Sequence, residues 1–232
     1  MLDFRISSPE EMEAAIREAG IIPFFANAIP GYSIQELTAP GYWFGEDGDS
    51  LGPWDWKIHC IQCGDIAYGK FLCGGKASFA TVEWYREWMN VRRTESVPDS
   101  NGSMILQKVE EQGSISIKEV RALLGVKKGP ADAAVSKLQH QCRLLTGDIT
   151  RVYSGPDLSY KGWQHASFCT PEALFGEDAA PASPFPGFPF GGDAPTLKTS
   201  NTPLESMEML RNHLSELLPS EATPERIRKV LR

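Results

Sequence analysis

Trp54, Trp56, Lys57, Tyr68, Lys70, Asn90, Arg92 and Arg93 are side chains of the types that bind a flat, anionic ligand. They lie in a stretch reading PWDWK at residues 53–57, AYGKF at 67–71, KASF at 76–79 and EWYREWMNVRR at 83–93. Five of the six tryptophans fall between Trp43 and Trp88. Rings stack on bases, and cations meet phosphate or sit over ring faces. A core would use the rings, and Phe71, Phe79 and Trp88 are expected there. It would not need Lys57, Lys70, Arg92 and Arg93 beside them. Two readings follow for the block: a pocket for an extruded base or a single strand, or a platform whose arginines bridge to the unit that follows.

That second unit starts after the loop signal SVPDSNG at residues 96–102. Met104, Ile105, Leu106 and Val109 mark a helix stopped by Gly113. Ser116 caps a second, with Val120, Leu123 and Leu124 inward and Gly125 at its end. Lys127-Lys128-Gly129-Pro130 leads to a third, with Pro130 suited to its first position and Ala134, Val135, Leu138 and Cys142 as the inward stripe. A strand from Leu144 or Leu145 to Tyr153, the turn SGPDLS and a returning strand from Lys161 to Cys169 complete it. Three helices followed by a hairpin is the order of a winged helix-turn-helix. The third helix then presents Asp132, Ser136, Lys137, Gln139, His140 and Arg143 outward, behind Lys127 and Lys128 at its N-terminus. Arg151 and Lys161 fall on the wing. These types suit base edges and phosphates, so duplex DNA is the expected partner. Winged units also pack on proteins, and that alternative stays open.

The flanks supply the remaining elements. Ser8-Pro9-Glu10-Glu11 opens a helix with Met12, Ala15, Ile16 and Ala19 on its apolar stripe and Gly20 at its stop. Ser33 starts another. Short apolar runs broken by glycines predict strands and turns from Trp54 to Phe79, and Thr81 to Val91 has helical aromatic spacing. Residues 176–201 are rich in Pro, Gly and Phe, with Phe185, Phe188 and Phe190 suggesting a strap. Met207 to Leu218 is an amphipathic helix, and Thr223-Pro224-Glu225 starts a last one. The expected fold is α+β: an N-terminal aromatic-rich α+β unit (1–98), a winged helix-turn-helix unit packed on it (99–175), a linker or strap (176–201) and C-terminal helices (202–232). The tail is the segment expected to meet any protein partner.

Composition narrows the function classes. The net charge of −7 argues against indiscriminate coating of nucleic acid. The charge is uneven: 2 basic and 10 acidic residues over 1–56, then 15 and 11 over 57–163. Only the middle is suited to phosphate. No apolar run approaches the roughly 18 residues of a membrane helix, so no membrane is expected. The N-terminus lacks a basic segment followed by an apolar run, and the five cysteines form no disulfide framework. A cytoplasmic protein is expected. Cys60 and Cys63 have a zinc-like spacing near His59 and Cys73, but no second pair follows, and cysteine is often a small core residue. No metal and no cofactor are expected. A nucleophile elbow and a glycine-rich phosphate loop are both missing from the sequence. Glu46, Asp47 and Asp49 read as a solvated loop.

In order, PWDWK, AYGKF, KASF, EWYREWMNVRR, KLQHQ, YKGW and FCTPE resemble the bacterial AlkZ-related proteins, from Ile21 to Leu174. These are distant relatives of the winged-helix DNA glycosylases of the AlkZ/YcaQ type. The resemblance implies a winged-helix architecture and a link to DNA repair. Glycosylases of that type place water with a Gln-aliphatic-Gln or Gln-aliphatic-Asp motif. Gln139-His140-Gln141 has the spacing, but its centre is histidine, and helical geometry turns about 100° per residue, so the two glutamines do not share a face. No catalytic role is carried over. A hydrolytic glycosylase would need an amide or carboxylate near Trp54 to Tyr68 to hold water. A catalytically inactive protein–protein interaction module is the alternative.

Overall fold

The signals for helix ends act where they occur in the sequence. Ser8 caps α1 (Pro9–Ala19) by accepting from the Glu11 N–H. Gly20 ends it at φ +69, with the Trp84 indole so close that a Cβ would lie 2.3 Å from Cδ1. Ser33 caps α2 (Ile34–Leu37) in the same way. The computed structural model describes residues 5–43, 51–176 and 196–232. Glu46, Asp47 and Asp49 and the phenylalanines at 185, 188 and 190 lie outside them.

One expectation is overturned in the aromatic block. Pro53–Gln62 is a helix, α3, where strands and turns were expected. Pro53 stands in its first turn, a position that needs no N–H. Its burial runs nearly all round, from Asp55 through Ile58 to Ile61, so no one-sided stripe betrays the helical period. Two strands follow it, β2 (Ile66–Leu72) and β3 (Lys76–Thr81), and with the earlier β1 (Ile21–Pro23) they form an antiparallel sheet in the order β1-β3-β2. The helix α4 (Val82–Glu95) packs beside it and buries Tyr85, Trp88 and Val91.

The following unit holds α5 (Ser100–Gln112), β4 (Ile115–Ser116), α6 (Ile117–Leu124), α7 (Lys128–His140), β5 (Leu145–Ser154) and β6 (Ser159–Cys169). Its sheet is antiparallel in the order β4-β6-β5. Ser116 and Glu119 form a reciprocal capping box on α6. Ile105, Val109, Val120, Ala131, Val135, Leu138 and Leu144 make a core of their own. Met104 turns outward from α5. α7 begins at Lys128 with Lys127 at its cap, so Pro130 is its third residue rather than its first.

α8 (Pro171–Phe175), α9 (Pro203–Leu217) and α10 (Pro224–Val230) close the chain. Leu210, Leu214, Leu218, Ile227 and Val230 pack into the core of the N-terminal unit, with Ile16, Phe71 and Trp88. Asn90, expected at the pocket, instead donates from α4 to the Asn201 carbonyl and Ser206 Oγ, both at 2.9 Å. Glu87, almost fully buried, accepts from Ser206 Oγ at 2.6 Å. The fold is therefore mixed helix and sheet, with two cores meeting where α7 and β5 lie against β2 and α3.

Candidate functional site

That meeting line encloses a cavity of about 670 Å³. α3 contributes Trp54 and Lys57, and β2 contributes Tyr68, Gly69 and Lys70. Across from them stand Asp132, Val135, Ser136 and Gln139 of α7, with Trp163, Gln164 and Phe168 of β6. Lys57, Lys70 and Lys76 line the space against one carboxylate, Asp132. The rings are anchored from behind. Tyr68 lies 4.7 Å from Phe79, and Trp54 meets Phe24 edge-on at 5.5 Å. Trp163 is 71% exposed at the rim. A volume in the roughly 300–1,000 Å³ range of ligand sites, rings on opposing walls and several cations suit a planar ligand attached to anionic groups.

Lys57 is the least ordinary group. It is 3% exposed, and its ammonium sits 3.8 Å from the Trp54 ring centroid. It has no hydrogen bond or ion pair among the described residues. Burial pushes its pKa down to about 8, against the pull of Asp55. One oxygen of the Asp55 carboxylate is engaged elsewhere: its Oδ1 accepts from Tyr160 OH at 2.7 Å, Gln164 Nε2 at 3.1 Å and Arg151 Nε at 3.2 Å. This cluster pins the β5–β6 ribbon to α3.

The residues expected around the pocket divide. Trp54, Lys57, Tyr68 and Lys70 line it. Trp56 is buried against Tyr42, with centroids 5.5 Å apart. Arg92 turns to His140 and Glu95. Arg93 makes two hydrogen bonds to the Glu172 carboxylate, one of 3.1 Å, and donates to the Cys142 carbonyl. Burial raises the Glu172 pKa, but the hydrogen bond and charge of Arg93 outweigh it, leaving it below the usual carboxylate range. The bridging reading of Arg92 and Arg93 is the one the geometry matches.

The residues expected on DNA are also sorted. Lys127 and Lys128 are exposed and make no ion pair among the described residues. Lys137 pairs with Asp99 at 2.6 Å, and Ser136 accepts from Lys70 at 2.9 Å inside the cavity. Arg143 donates to the Arg93 and Ser96 carbonyls. Arg151 is held by Asp55. Lys161 lies in β6, and its side chain is outside the described set. Gln139, expected outward, is 2% exposed and donates to Thr146 Oγ1 at 3.2 Å, because the N-terminal unit covers the C-terminal half of α7. Gln141 points elsewhere, donating to the Val97 carbonyl.

His140, also expected outward, packs with Arg92 Nη2 2.6 Å from its Nδ1. Burial, and then the charge of Arg92, hold its pKa below the usual imidazole range. The unfolded chain therefore binds more protons near neutrality. Stability is full above the unfolded value of about 6.5 and falls as pH drops through it. Urea unfolding midpoints are expected to fall between pH 7.5 and 5.5, and to fall less in His140→Gln. An equal fall in both proteins would remove His140 as the source.

One set of potential metal donors occurs among the described residues, where Glu13, His59 and Cys63 have donor atoms within 4.8 Å of one another. Its contacts are already satisfied: Glu13 holds His59 and Arg17 at 2.8 Å each, and Arg17 forks onto Asp65. Cys60 is fully buried in the core.

Sequence reasoning missed Trp163, Gln164 and Asp55 as parts of the site. An exposed tryptophan on a strand next to a glycine was a usable signal for the first. No local signal marks Asp55, whose partners lie about a hundred residues away. The family model described as AlkZ related matches residues 6–232, which extends the resemblance through the C-terminal helices. No curated protein and no solved structure matches the chain.

Proposed function

This chain belongs to the AlkZ-related family, and from that premise we propose that it is a winged-helix protein that binds duplex DNA and receives a nucleotide drawn out of the duplex in the cavity between its two units. The cavity carries this reading: it offers rings on both walls, amides at Gln139 and Gln164, and Lys70 and Lys76 for phosphate. The order α5, β4, α6, α7, β5, β6 and the β4-β6-β5 sheet support the winged-helix description. The covered end of α7 cannot enter a major groove. Its free N-terminal end carries Lys127 and Lys128, one turn from Asp132 at the cavity wall. Phosphates of a duplex lying across that end would meet the lysines and the helix N-terminus together. A role in DNA repair follows from extrusion of single nucleotides.

Fluorescence anisotropy on intact and mismatch-containing duplexes over a salt series tests this. Binding is expected at low salt, with a steep loss as salt rises. Replacing Lys127 and Lys128 together by alanine is expected to lower the log–log salt slope by about 2. Trp163→Ala is expected to cost roughly tenfold on the mismatched duplex through lost stacking. Absence of binding at low salt would sink the reading and favour the interaction-module alternative, in which the cavity has no nucleotide to hold.

A further inference from the structure

We propose that Lys57 is a nucleophilic amine that captures the open-chain aldehyde of an abasic deoxyribose as an imine. The proposal rests on the DNA reading above and names the ligand chemistry of the same cavity.

A lysine this deeply buried usually has a hydrogen-bonded counter-charge, because an unpaired buried ammonium is costly. Lys57 has none among the described residues. Its ammonium lies over the Trp54 ring, which steadies a cation without binding its protons. Asp55 attracts it by charge but makes no hydrogen bond to it among the described residues, and its Oδ1 is engaged by Arg151, Tyr160 and Gln164. Lys57 is thus a buried cation without a hydrogen-bonded partner among the described residues, and it lines a space large enough for a ligand. Burial lowers its pKa to about 8. At pH 7.5 about one Lys57 in four is then the free amine, against about one in a thousand for an ordinary lysine. Desolvation of this kind is how lysines become carbonyl nucleophiles.

An abasic nucleotide is the DNA ligand that offers such an amine a carbonyl. Its sugar opens to an aldehyde at C1′, and loss of the base leaves room among Trp54, Tyr68 and Gln139. The Nζ lone pair forms the new bond to C1′, and the carbonyl π electrons pass to oxygen. The nitrogen then gives up its two protons with that oxygen as one water, leaving a C=N bond. No oxidant or reductant takes part, and hydrolysis reverses the step.

Borohydride supplies a hydride to the imine carbon and makes the link permanent, which gives the test. The whole protein is incubated with three duplexes: one with an aldehyde abasic site, one with its tetrahydrofuran analogue, which has no aldehyde, and one intact. Borohydride is added, and adducts are resolved on a denaturing gel and mapped by peptide mass. The expected adduct forms only with the aldehyde duplex, maps to Lys57, and grows as pH rises from 6.5 to 8.5. Lys57→Arg is expected to lower it at least tenfold, with circular dichroism confirming the fold. Should that variant fail to fold, the wild-type map still decides. Binding of the tetrahydrofuran duplex without any aldehyde adduct, or an adduct mapped to other amines, overturns the imine and leaves DNA binding standing. Failure to bind any duplex overturns both.

Discussion

Replacing Asp55 by alanine is expected to destabilise the protein by about 2–4 kcal/mol, because three donors, one of them a guanidinium, lose their acceptor in a largely buried place. Asp55→Asn keeps an oxygen for Tyr160 and Gln164 and loses only the charge opposite Arg151. It is expected to cost about 1–2 kcal/mol. Urea denaturation measures both. The local consequence is larger than the global one, because Asp55 is the polar tie between α3 and the β5–β6 ribbon. That ribbon carries Trp163 and Gln164 to the cavity rim. Amide exchange in the ribbon is expected to quicken in Asp55→Ala while exchange in β2 and β3 changes less. An alanine variant within about 0.5 kcal/mol of wild type, the range of an ordinary surface change, would remove the cluster from the account.

Trp88→Ala is expected to cost about 3–5 kcal/mol, a large share of the stability of any domain. Trp88 is fully buried, and its Nε1 donates to the Phe71 carbonyl at 2.9 Å. Alanine leaves a cavity and an unpaired carbonyl at the end of β2. Trp88→Phe refills most of the space and loses the hydrogen bond, for an expected cost of about 1–2 kcal/mol. Because β2 also carries Tyr68, Gly69 and Lys70, the alanine variant is expected to loosen one wall of the cavity as well. Thermal unfolding with both variants checks the order. If alanine proved no worse than phenylalanine, the packing argument would fail.

Much of the architecture was legible in the sequence because it rests on local chemistry. Ser8, Ser33, Ser116 and Thr223 begin helices where their side chains accept from the first turn, and Gly20, Gly113 and Gly125 end them. α4 and the alternation of α5, α6 and α7 with the β5–β6 hairpin follow from apolar spacing. α3 escaped because a helix buried on nearly every side has no stripe, so its period is invisible. Within the candidate site, Trp54, Lys57, Tyr68 and Lys70 could be picked out by type, since rings beside cations exceed what a core needs.

Their separation from Trp56, Asn90, Arg92 and Arg93 was decided by tertiary structure alone. The sequence shows that a cation exists and says nothing of its partner: Glu172 for Arg93, Asp55 for Arg151, Asp99 for Lys137. Those carboxylates lie 38 to 96 residues away along the chain, beyond the reach of any local pattern. Coverage is a tertiary fact too. Docking of the N-terminal unit over the C-terminal half of α7 turns Gln139 from an outward side chain into a cavity wall. Lys57 is likewise buried, without a hydrogen bond or ion pair among the described residues. By itself the sequence determined the elements and the residue types available for binding. Only the packing of two cores decided which cations are spent on the fold and which line the cavity.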